Sequence, residues 1–453
     1  MQLKCWRITE RYPFNQNRPL QEQHMYFIYN LFLTLIFILL FPFLFIWAIM
    51  GKHGVQERLG RLPAGVRQRS SSRKVIWFHA ASVGEIKLLP PIVSRLKRKD
   101  RSFSVVVSSL TKAGKTEAQR SLKGVDLFFY LPADLPLFMK KVMRELGPSA
   151  LVLVETEIWP NLIRQAKISG SRIVLINGRF SSKSFQRYFR MKSFFRAVLS
   201  LIDLFCMRTQ EDAQRLLLLG ADPGKVTVVG NLKFDTAMME HSTSDRDKLR
   251  DNLGIPKKSK VVVAGSTEQG EERMVLEVFK SLKIECPNLF LILAPRHLNR
   301  IKQVESELTE SGLRYRKRTQ IAEKSDMESD FDLILLDTIG ELFSLYSIAE
   351  VTFVGGSLIP FGGHNVLEPA MHSVPVLFGP YMDHFKESSE LLLESGGAIK
   401  VRDSEELYQR LSELLHDENK RKKMGEKARE LIERRRGPTD KTVEVLLHLT
   451  GQN

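Results

Sequence analysis

Short apolar runs rich in β-branched residues alternate with amphipathic stretches from residue 75 onward. The first seven runs are VIWFHA, FSVVVSS, VDLFFYL, ALVLVET, RIVLING, DLFCMRT and KVTVVG. Because they are almost continuously apolar, these runs are typical of parallel strands that helices cover on both faces. Stretches with helical periodicity, such as LPPIVSRLKRK and LPLFMKKVMREL, lie between them, so the pattern predicts a repeating βα unit.

A charged stretch, EHSTSDRDKLRDNLGIPKKSK, interrupts this pattern before a second series begins. The second series contains VVVAGS, LFLILAP, LRYRKRT, LILLD, VTFVGG and VPVLFG. The sequence therefore predicts an α/β protein with two Rossmann-like, doubly wound domains facing a cleft, where ligands commonly bind. The predicted ranges are 75–235 and 259–420 for the domains, 236–258 for the interdomain linker and 421–453 for charged C-terminal helices.

Residues 26–50 contain no charged side chain and are long enough to cross a bilayer. A signal peptide is the alternative, but the apolar run is too long and no small-residue cleavage site follows it. Residues 1–25 form a polar N-terminal extension, and translation could also begin at Met25. Residues 51–74 form a basic juxtamembrane linker. The denser Lys and Arg content of that linker predicts a single-pass helix with the C-terminal part of the chain in the cytoplasm.

Lys and Arg outnumber Asp and Glu by 68 to 52, which gives a formal net charge of +16. This balance indicates an anionic partner, such as an anionic lipid or a phosphorylated substrate. No nucleic-acid-binding motif is present, so nucleic acid is not an expected partner. Three dispersed cysteines, Cys5, Cys206 and Cys286, make neither a disulfide framework nor a metal cluster. We therefore expect a reducing compartment, no metal and no cofactor.

The stretch FHAASVGE at residues 78–85 supports two interpretations of Glu85. Ser82 and Glu85 fit the S-x-x-E capping box, in which both side chains satisfy backbone donors at a helix start. Alternatively, Glu85 is a chemical group at the carboxyl end of the strand VIWFH, where open α/β sheets bind ligands. The sequence leaves both interpretations open.

Further polar side chains follow the other strands of the first domain. Glu155 comes directly after LVLV, whereas Glu157 is expected in the first turn of the next helix, where an acid is favoured for structural reasons. Arg179 in NGRFS and Lys233 in GNLKFD are either solvated surface charges or anion-binding residues.

In the second domain, AGSTEQGEE offers Gly265, Ser266 and Thr267 to a phosphate at a helix start, and Arg296 in APRH is placed to clamp an anion. The densest signal is GGSLIPFGGHNVLEPA, whose glycines would let backbone amides approach a phosphate. Asn365 and Glu368 lie three residues apart, so that Glu368 could accept both ribose hydroxyls. A flexible glycine loop with a capped helix is the alternative.

Taken together and in this order, HAASVGE, ETEIWPNL, NGRFS, GNLKFD, APRH and GGSLIPFGGHNVLEPA resemble the 3-deoxy-D-manno-octulosonic acid (Kdo) transferases of lipopolysaccharide synthesis. The resemblance covers nearly all of the chain after residue 25. It implies a membrane-bound glycosyltransferase of the GT-B fold in the cell inner membrane. The implied donor is CMP-Kdo, the implied acceptor is the lipid A precursor lipid IVA, and the implied partners include inner-membrane lipids.

The resemblance also assigns roles to individual residues. It implies that Glu85 is the catalytic base and that Glu155 and Lys233 stabilise the transition state. The residues implied to contact CMP-Kdo are Pro295, Arg296, Ile339, Gly340, Glu341, Asn365, Val366, Leu367 and Glu368. Direct in-line displacement of CMP would invert the anomeric centre. Two alternatives stay open: a GT-B enzyme that uses another nucleotide sugar, for example one linked to UDP, and a membrane-anchored binding protein without turnover.

Overall fold

The structure, a computed structural model, describes residues 18–49, 54–63, 74–239, 246–321 and 331–451. Most of the predicted N-terminal extension and of the basic linker, including Cys5, lies outside these ranges. The chain forms two compact units. The N-terminal unit contains Met1–Leu232 and Gly437–Asn453, and the C-terminal unit contains Lys233–Arg436.

The N-terminal unit is built on a seven-stranded sheet in which every strand pair is parallel. Its strands are β1 (Val75–His79), β2 (Ser104–Ser109), β3 (Leu127–Tyr130), β4 (Ala150–Val154), β5 (Arg172–Gly178), β6 (Leu204–Met207) and β7 (Val226–Val228). They lie in the order β3-β2-β1-β4-β5-β6-β7. The winding direction therefore reverses between β1 and β4, which makes the end of these two strands the topological switch point.

Alternating side chains of this sheet supply the two cores of the N-terminal unit. Trp77, Leu151 and Leu153 belong to one buried cluster, and Phe78 and Val152 belong to the other. Neighbouring residues of a strand point to opposite faces, so a strand that is apolar throughout needs a helical layer on each side. The predicted doubly wound α/β architecture is confirmed.

The helices described in the N-terminal unit cover these faces. They are α1 (Arg18–Ile49), α2 (Val55–Arg58), α3 (Val83–Ile86), α4 (Leu89–Lys99), α5 (Lys112–Ser121), α6 (Pro136–Leu146), α7 (Pro160–Ile168), α8 (Ser182–Arg190), α9 (Lys192–Ser200), α10 (Gln210–Leu219) and the C-terminal helix Pro438–Leu449. Among the described residues, one segment of α1, His24–Phe43, is long and apolar enough to cross a membrane.

The C-terminal unit repeats the same plan with a second parallel sheet of seven strands. Its strands are β8 (Lys260–Thr267), β9 (Leu289–Pro295), β10 (Tyr315–Lys317), β11 (Leu333–Leu335), β12 (Val351–Val354), β13 (Val376–Phe378) and β14 (Ala398–Lys400). The order is β10-β11-β9-β8-β12-β13-β14, so the switch point lies between β8 and β12. The sequence pattern missed β14, a three-residue strand at the edge of the sheet.

The helices described in the C-terminal unit are α11 (Lys233–Met239), α12 (Arg246–Asn252), α13 (Glu271–Glu285), α14 (Ile301–Ser311), α15 (Leu342–Tyr346), α16 (Leu367–Met371), α17 (Lys386–Ser395), α18 (Ser404–His416) and α19 (Glu418–Arg434). The last helix of the chain, Pro438–Leu449, is numbered α20. The predicted segment 421–453 is divided between the units, because α19 packs in the C-terminal unit whereas Val443 and Leu446 of α20 enter a core of the N-terminal unit.

Candidate active site

The polar residues of the N-terminal unit gather where the switch-point strands end. Glu85 follows β1 in helix α3, and Glu155 comes directly after β4, the parallel neighbour of β1. The two strands run in register from Ile76 and Ala150 onward, so their carboxyl ends lie at the same edge of the sheet. This edge is where open α/β sheets bind their ligands.

The carboxylate of Glu85 is buried and hydrogen-bonded at the start of its own helix. Its Oε2 accepts a bond of 2.7 Å from the backbone N–H of Ala81, and its Oε1 accepts one of 2.8 Å from the Ser82 hydroxyl. The Ser82 oxygen in turn accepts a 3.4 Å bond from the Glu85 N–H. The reciprocal capping contact is therefore present. Each carboxylate oxygen still has a second lone pair, so the cap leaves Glu85 able to accept a proton.

Burial raises the pKa of Glu85 to about 8, and the negative charges of Glu157 and Glu155 act in the same direction. The hydrogen bonds from Ser82 and Ala81 oppose this change by favouring the charged form. A carboxyl group with a pKa near neutrality is well matched to general-base catalysis. Glu85 thus caps the start of α3 and also has a pKa suited to general-base catalysis.

Glu157 faces this site, contrary to the expectation that it belongs to the first turn of a helix. Helix α7 begins only at Pro160, and Glu157 lies in the preceding loop. Its Oε2 accepts a 2.8 Å hydrogen bond from the Trp159 indole and lies 3.5 Å from Nε2 of the fully buried His79. The other ring nitrogen of His79 lies 2.9 Å from the Ser108 hydroxyl. The sequence missed this contact because it joins two different strand ends.

Glu155 has an unusual backbone conformation next to Asn177 of β5. Their φ values are 58° and 51°, a left-handed region that side-chain-bearing residues rarely occupy. The Asn177 amide nitrogen donates a 3.4 Å hydrogen bond to the Glu155 carboxylate, and its oxygen accepts one of 3.0 Å from the Leu232 N–H. Such conformations cluster at functional sites, where the surrounding structure holds them.

The two basic candidates of the first strand series lie in different units. Arg179 follows β5, and its backbone carbonyl accepts a hydrogen bond from the Thr156 hydroxyl. Lys233 begins α11 in the C-terminal unit, although the sequence placed it in the first domain. Its ammonium group lies 4.4 Å from the centre of the Phe385 ring, a cation–π contact.

The glycine-rich loop after β12 is held by a buried carboxylate. Glu271, the first residue of α13, accepts hydrogen bonds of 2.5 to 2.9 Å from the backbone N–H groups of Gly356, Ser357, Leu358 and Glu268. The amides of Gly356, Ser357 and Leu358 are therefore already bonded within the protein and are not free to bind a phosphate. Glu271 lies in AGSTEQGEE, a stretch whose glycine and hydroxyl residues suggest a phosphate site, so the sequence gives no sign of this role.

Close packing explains one glycine of this loop. A Cβ atom on Gly355 would lie 2.6 Å from the backbone oxygen of Ser266, well inside van der Waals contact. Ser266 itself has a positive φ of 57° at the end of β8. The two switch-point strands of the C-terminal unit thus end in tightly apposed backbone, with Gly355 required by sterics rather than by flexibility.

The stretch Asn365 to Glu368 divides into two inward and two outward residues. Val366 and Leu367 are fully buried in an apolar cluster. Asn365 and Glu368 are half-buried, and the Asn365 amide donates a 3.0 Å hydrogen bond to the Glu368 carboxylate. The Asn365 side-chain oxygen accepts a 3.1 Å bond from the N–H of Leu367, the first residue of α16. Asn365 and Glu368 are therefore the members of this stretch that can contact a ligand.

The charges of Arg296 and Glu368 act in opposite directions on the pKa of the buried Tyr346 phenol. Pro295 ends β9 in the core, whereas the Arg296 side chain is exposed. The backbone N–H of Arg296 donates a 2.9 Å hydrogen bond to the carbonyl oxygen of Thr267. Burial raises the pKa of Tyr346 well above its ordinary value, Glu368 raises it further and Arg296 lowers it. The structure thereby brings the APRH and HNVLE stretches to one edge of the second sheet.

Ile339, Gly340 and Glu341 form an exposed turn before α15. Ile339 is 71% exposed, and Gly340 has a φ of 96°, a conformation that favours glycine. The Glu341 carboxylate is paired with Arg318 at 3.1 Å and accepts a hydrogen bond of 2.5 Å from the Thr338 hydroxyl. Its side chain therefore has partners in the protein, which leaves the backbone of the turn for a ligand.

Two histidines, His297 and His364, lie close to the Glu268 carboxylate. Nε2 of His364 lies 3.2 Å and Nε2 of His297 lies 3.5 Å from the Glu268 carboxylate. Burial, with the charges of Arg296, His297 and His384, lowers the pKa of His364 to about 3, so its ring is neutral. Within the described residues, no three His, Cys, Asp or Glu side chains are arranged to hold a metal ion.

Two units that are each built on a parallel, doubly wound sheet of seven strands are the plan of the GT-B fold. Solved structures support this fold. A UDP-GlcNAc 2-epimerase from Neisseria meningitidis bound to UDP-GlcNAc has a TM-score of 0.57 and 14% identity, covering 83% of this chain and 99% of its own. A glycosyltransferase from Rickettsia africae has a TM-score of 0.56 and 12% identity, covering 84% and 100%. At these identities, the likeness concerns the fold alone.

Sequence comparison identifies the family. Residues 53–236 match the profile of the 3-deoxy-D-manno-octulosonic-acid transferases (kdotransferases). The chain is 30% identical to the 3-deoxy-D-manno-octulosonic acid transferase of Haemophilus influenzae, covering 82% of this chain and 86% of that protein. It is 35% identical to the transferase of the same name from Chlamydophila psittaci, over 71% and 73%. The chain belongs to this family of glycosyltransferases.

One relative is longer than this chain. A bifunctional glycosyltransferase/methyltransferase from Fusobacterium nucleatum is 35% identical over 76% of this chain, which spans 53% of that protein. The match therefore covers about half of the length of that relative.

Proposed function

We propose that this chain transfers Kdo from CMP-Kdo to lipid IVA at the inner membrane, with inversion of the anomeric centre. The observation that carries the proposal is the Glu85 carboxyl group at the switch point of the N-terminal sheet. It is buried, its pKa is raised to about 8, and it lies in the HAASVGE stretch. These properties fit a base that takes a proton from a sugar hydroxyl.

In the proposed reaction, the acceptor hydroxyl oxygen forms a bond to the anomeric carbon of Kdo while the bond from that carbon to the CMP phosphate oxygen breaks. The hydroxyl proton passes to Glu85, and CMP leaves with the electron pair of the broken bond. CMP is a stable anion, so it needs positive charge nearby more than it needs a proton. Lys233 and Arg296 are proposed to supply that charge, and Glu155 is proposed to stabilise the transition state.

The donor site is proposed to use the edge of the C-terminal sheet. Glu368, oriented by Asn365, is proposed to accept hydrogen bonds from the ribose hydroxyls. The turn at Gly340 is proposed to contact the nucleotide through its backbone, with Ile339 and Glu341 on either side. Pro295 fixes the strand end from which Arg296 projects, and Val366 and Leu367 fix the start of α16 from the core side.

The apolar helix α1 is proposed to hold the enzyme on the cytoplasmic face of the inner membrane. Phe27, Ile28, Phe32 and Leu35 of this helix are each at least half exposed. The Tyr26 ring contacts Phe194 of the N-terminal unit, with 5.3 Å between ring centroids. A single-pass crossing over residues 26–50 would put Tyr26 on the far side of the bilayer from that unit. We therefore propose that α1 inserts its exposed face into the cytoplasmic leaflet instead.

The orientation of α1 is tested by labelling a cysteine introduced at the exposed position His24. A membrane-impermeant maleimide should label His24→Cys in inverted vesicles and not in right-side-out vesicles. Labelling of His24→Cys in right-side-out vesicles and not in inverted vesicles would instead support the single-pass topology.

The activity is tested with the purified full-length chain in detergent, lipid IVA and CMP-Kdo. Mass spectrometry should detect acceptor that has gained Kdo, and NMR of the product should show an anomeric configuration opposite to that of the donor. Unchanged lipid IVA would reject the proposed acceptor. Consumption of CMP-Kdo without a glycolipid product would reject the proposed transfer.

The two alternatives from sequence are separated by binding measurements. If the donor were linked to UDP, then UDP would raise the melting temperature of the chain more than CMP does at equal concentration. A binding protein without turnover would be stabilised by CMP-Kdo but would give no product under any of these conditions. Substitution of the exposed Arg296, or of the hydrogen-bonded pair Asn365 and Glu368, would show whether the nucleotide binds at this edge of the C-terminal sheet.

A further inference from the structure

One face of α1 lies along the N-terminal unit for about three turns. Tyr26, Tyr29 and Phe37, which share this face, contact aromatic side chains of that unit. Phe194 meets the two tyrosines at centroid distances of 5.3 and 5.6 Å, and Phe138 meets Phe37 at 5.5 Å. Helix α1 is therefore a packed element of the unit as well as an apolar segment.

Two polar side chains on this face of α1 have buried partners. The Tyr29 hydroxyl donates a 2.8 Å hydrogen bond to Oδ2 of Asp134. The Asn30 amide oxygen accepts one of 2.7 Å from the side chain of Asn161. A polar group in an apolar segment is costly without a partner, so these bonds fix the rotation of α1 against the unit.

Asp134 is also the N-terminal cap of α7. The N-cap position of that helix is occupied by Trp159, whose side chain has no oxygen to accept a hydrogen bond from the first amides. Asp134 supplies both missing acceptors: Oδ2 takes a 3.0 Å bond from the Asn161 N–H, and Oδ1 takes one of 2.8 Å from the Leu162 N–H. The first free amides of a helix need such partners. The start of α7 thus depends on a carboxylate that Tyr29 of α1 also binds.

The start of α7 is directly connected to the candidate active site. Trp159 donates a 2.8 Å hydrogen bond to Glu157, and Glu157 lies 3.5 Å from His79 at the end of β1. The charge of Glu157 acts on Glu85. A continuous series of contacts therefore leads from Tyr29 and Asn30, through Asp134 and the start of α7, to the groups around Glu85.

We propose that α1 is a positioning element of the active site: its Tyr29 and Asn30, bound to Asp134 and Asn161, fix the start of α7 and hold Glu157 and Trp159 beside His79. Tyr29, Asn30 and Asp134 are positioning residues, since none of them needs to touch a substrate. The effect on turnover rests on the proposed function. The effect on the start of α7 does not.

The test compares Tyr29→Phe and Asn30→Ala with Thr34→Val in the full-length chain, extracted in the same detergent. Tyr29→Phe removes one hydroxyl and keeps the ring that packs on Phe194. Thr34→Val removes a hydroxyl from the exposed face of the same helix and serves as the matched control. Hydrogen exchange of the Asn161 and Leu162 amides reports on the cap, and steady-state kinetics report on turnover.

We expect faster amide exchange at Asn161 and Leu162 in Tyr29→Phe and Asn30→Ala, with wild-type exchange in Thr34→Val. We also expect kcat to fall about threefold to tenfold in the first two variants, the range for coupling through packed contacts, while KM for both substrates stays within about twofold. A purely anchoring helix would instead raise KM for the lipid acceptor and leave kcat unchanged, which would overturn the proposal.

Unchanged exchange at both amides would overturn it as well, whatever the kinetics show. If the wild-type chain transfers no Kdo, the proposed function fails, and exchange at α7 still decides whether α1 supports this helix. Faster exchange with wild-type kcat would show that α1 stabilises α7 without positioning Glu157, and would also overturn the proposal.

Discussion

The Ser82 hydroxyl and the Glu85 carboxylate are hydrogen-bonded to each other at 2.8 Å, directly after the strand that borders the switch point of the N-terminal sheet. This bond stabilises the start of α3 and the charged form of Glu85 at the same time. The same pair of side chains therefore forms the helix cap and holds the proposed base. Its contribution to stability and its contribution to catalysis should respond differently to substitution.

Glu85→Gln separates the two contributions. The glutamine oxygen can still accept the hydrogen bond from Ala81, and its amide can donate to the Ser82 oxygen, but it cannot accept a proton. We expect kcat to fall by about 10²- to 10⁴-fold, the range for loss of a general base, with CMP-Kdo binding unchanged by isothermal titration calorimetry. Turnover near the wild-type rate would return Glu85 to a purely structural role.

Ser82→Ala should change both the stability and the pH dependence. Loss of an N-cap costs about 1 kcal/mol. The Ser82 hydrogen bond lowers the pKa of Glu85, so its removal should move the acid limb of the kcat/KM profile to higher pH. In the wild type, activity should be lost as pH falls through about 8, because the base becomes protonated.

Thr111→Ala is the control for this pair. Thr111 caps α5 in the same unit through a 3.0 Å hydrogen bond from the Gly114 N–H. This variant should lose similar stability but keep the wild-type pH profile. If the kcat/KM profiles of Ser82→Ala and Thr111→Ala moved to higher pH by the same amount, the cause would be general destabilisation and not the loss of the Ser82 hydrogen bond.

Glu85 should also affect how unfolding depends on pH. Its pKa is about 8 in the folded chain and near 4.5 when the chain is unfolded. Between these values the folded state holds the extra proton, so this group makes the free energy of unfolding decrease as pH rises from about 4.5 to about 8. Glu85→Gln should therefore gain stability relative to wild type at pH 8, and gain least at pH 5. If the difference in melting temperature between Glu85→Gln and wild type were the same at pH 5 and at pH 8, the raised pKa of Glu85 would be contradicted.

Glu271→Gln should disturb the glycine-rich loop. Glutamine replaces one acceptor oxygen by an NH₂ group that faces backbone donors, and each buried donor left unsatisfied costs about 1 to 3 kcal/mol. We expect a lower melting temperature and weaker CMP-Kdo binding by calorimetry, because Asn365 and Glu368 follow this loop. Glu277→Gln, on the exposed side of the same helix, should change neither quantity. Wild-type affinity in Glu271→Gln would show that donor binding does not depend on the loop.

Arg296→Ala should weaken the donor complex without affecting the fold. The side chain is exposed, so little packing is lost, whereas a positive charge proposed to face CMP-Kdo disappears. We expect the Kd for CMP to rise about tenfold, typical of the loss of one charge-assisted hydrogen bond. Arg273→Ala, which breaks an exposed ion pair with Glu310, is the matched control and should bind CMP normally. Normal CMP binding by Arg296→Ala would remove this residue from the donor site.

The sequence predicted much of the fold, because strands buried on both faces are apolar throughout. All seven strands of the first series and six of the second lie where the pattern placed them, and β14 was missed because three residues carry too little periodicity. The strand order was not readable, since it depends on which strands pair across the sheet. For that reason the sequence could not tell that β1 and β4 border the switch point.

The candidate site was predicted less completely. Glu85 and Glu155 stand out because each lies next to a strand end, which is a local property. Glu157 and Glu271 act through partners that are 78 and 85 residues away, namely His79 and Gly356, and no local spacing encodes such contacts. The roles of both residues became visible only when the strand ends were placed side by side.

Helix α20 closes the N-terminal unit with residues that follow the whole C-terminal unit along the chain. Val443 and Leu446 fill the same core as Ile92, and Asp440 forms a 2.7 Å ion pair with Arg95 of α4. During synthesis, the first unit therefore leaves the ribosome with an open apolar patch and completes its core only after the whole C-terminal unit has emerged. Quality control by proteases should thus act on chains truncated before Pro438 even though every residue of the proposed active site is present.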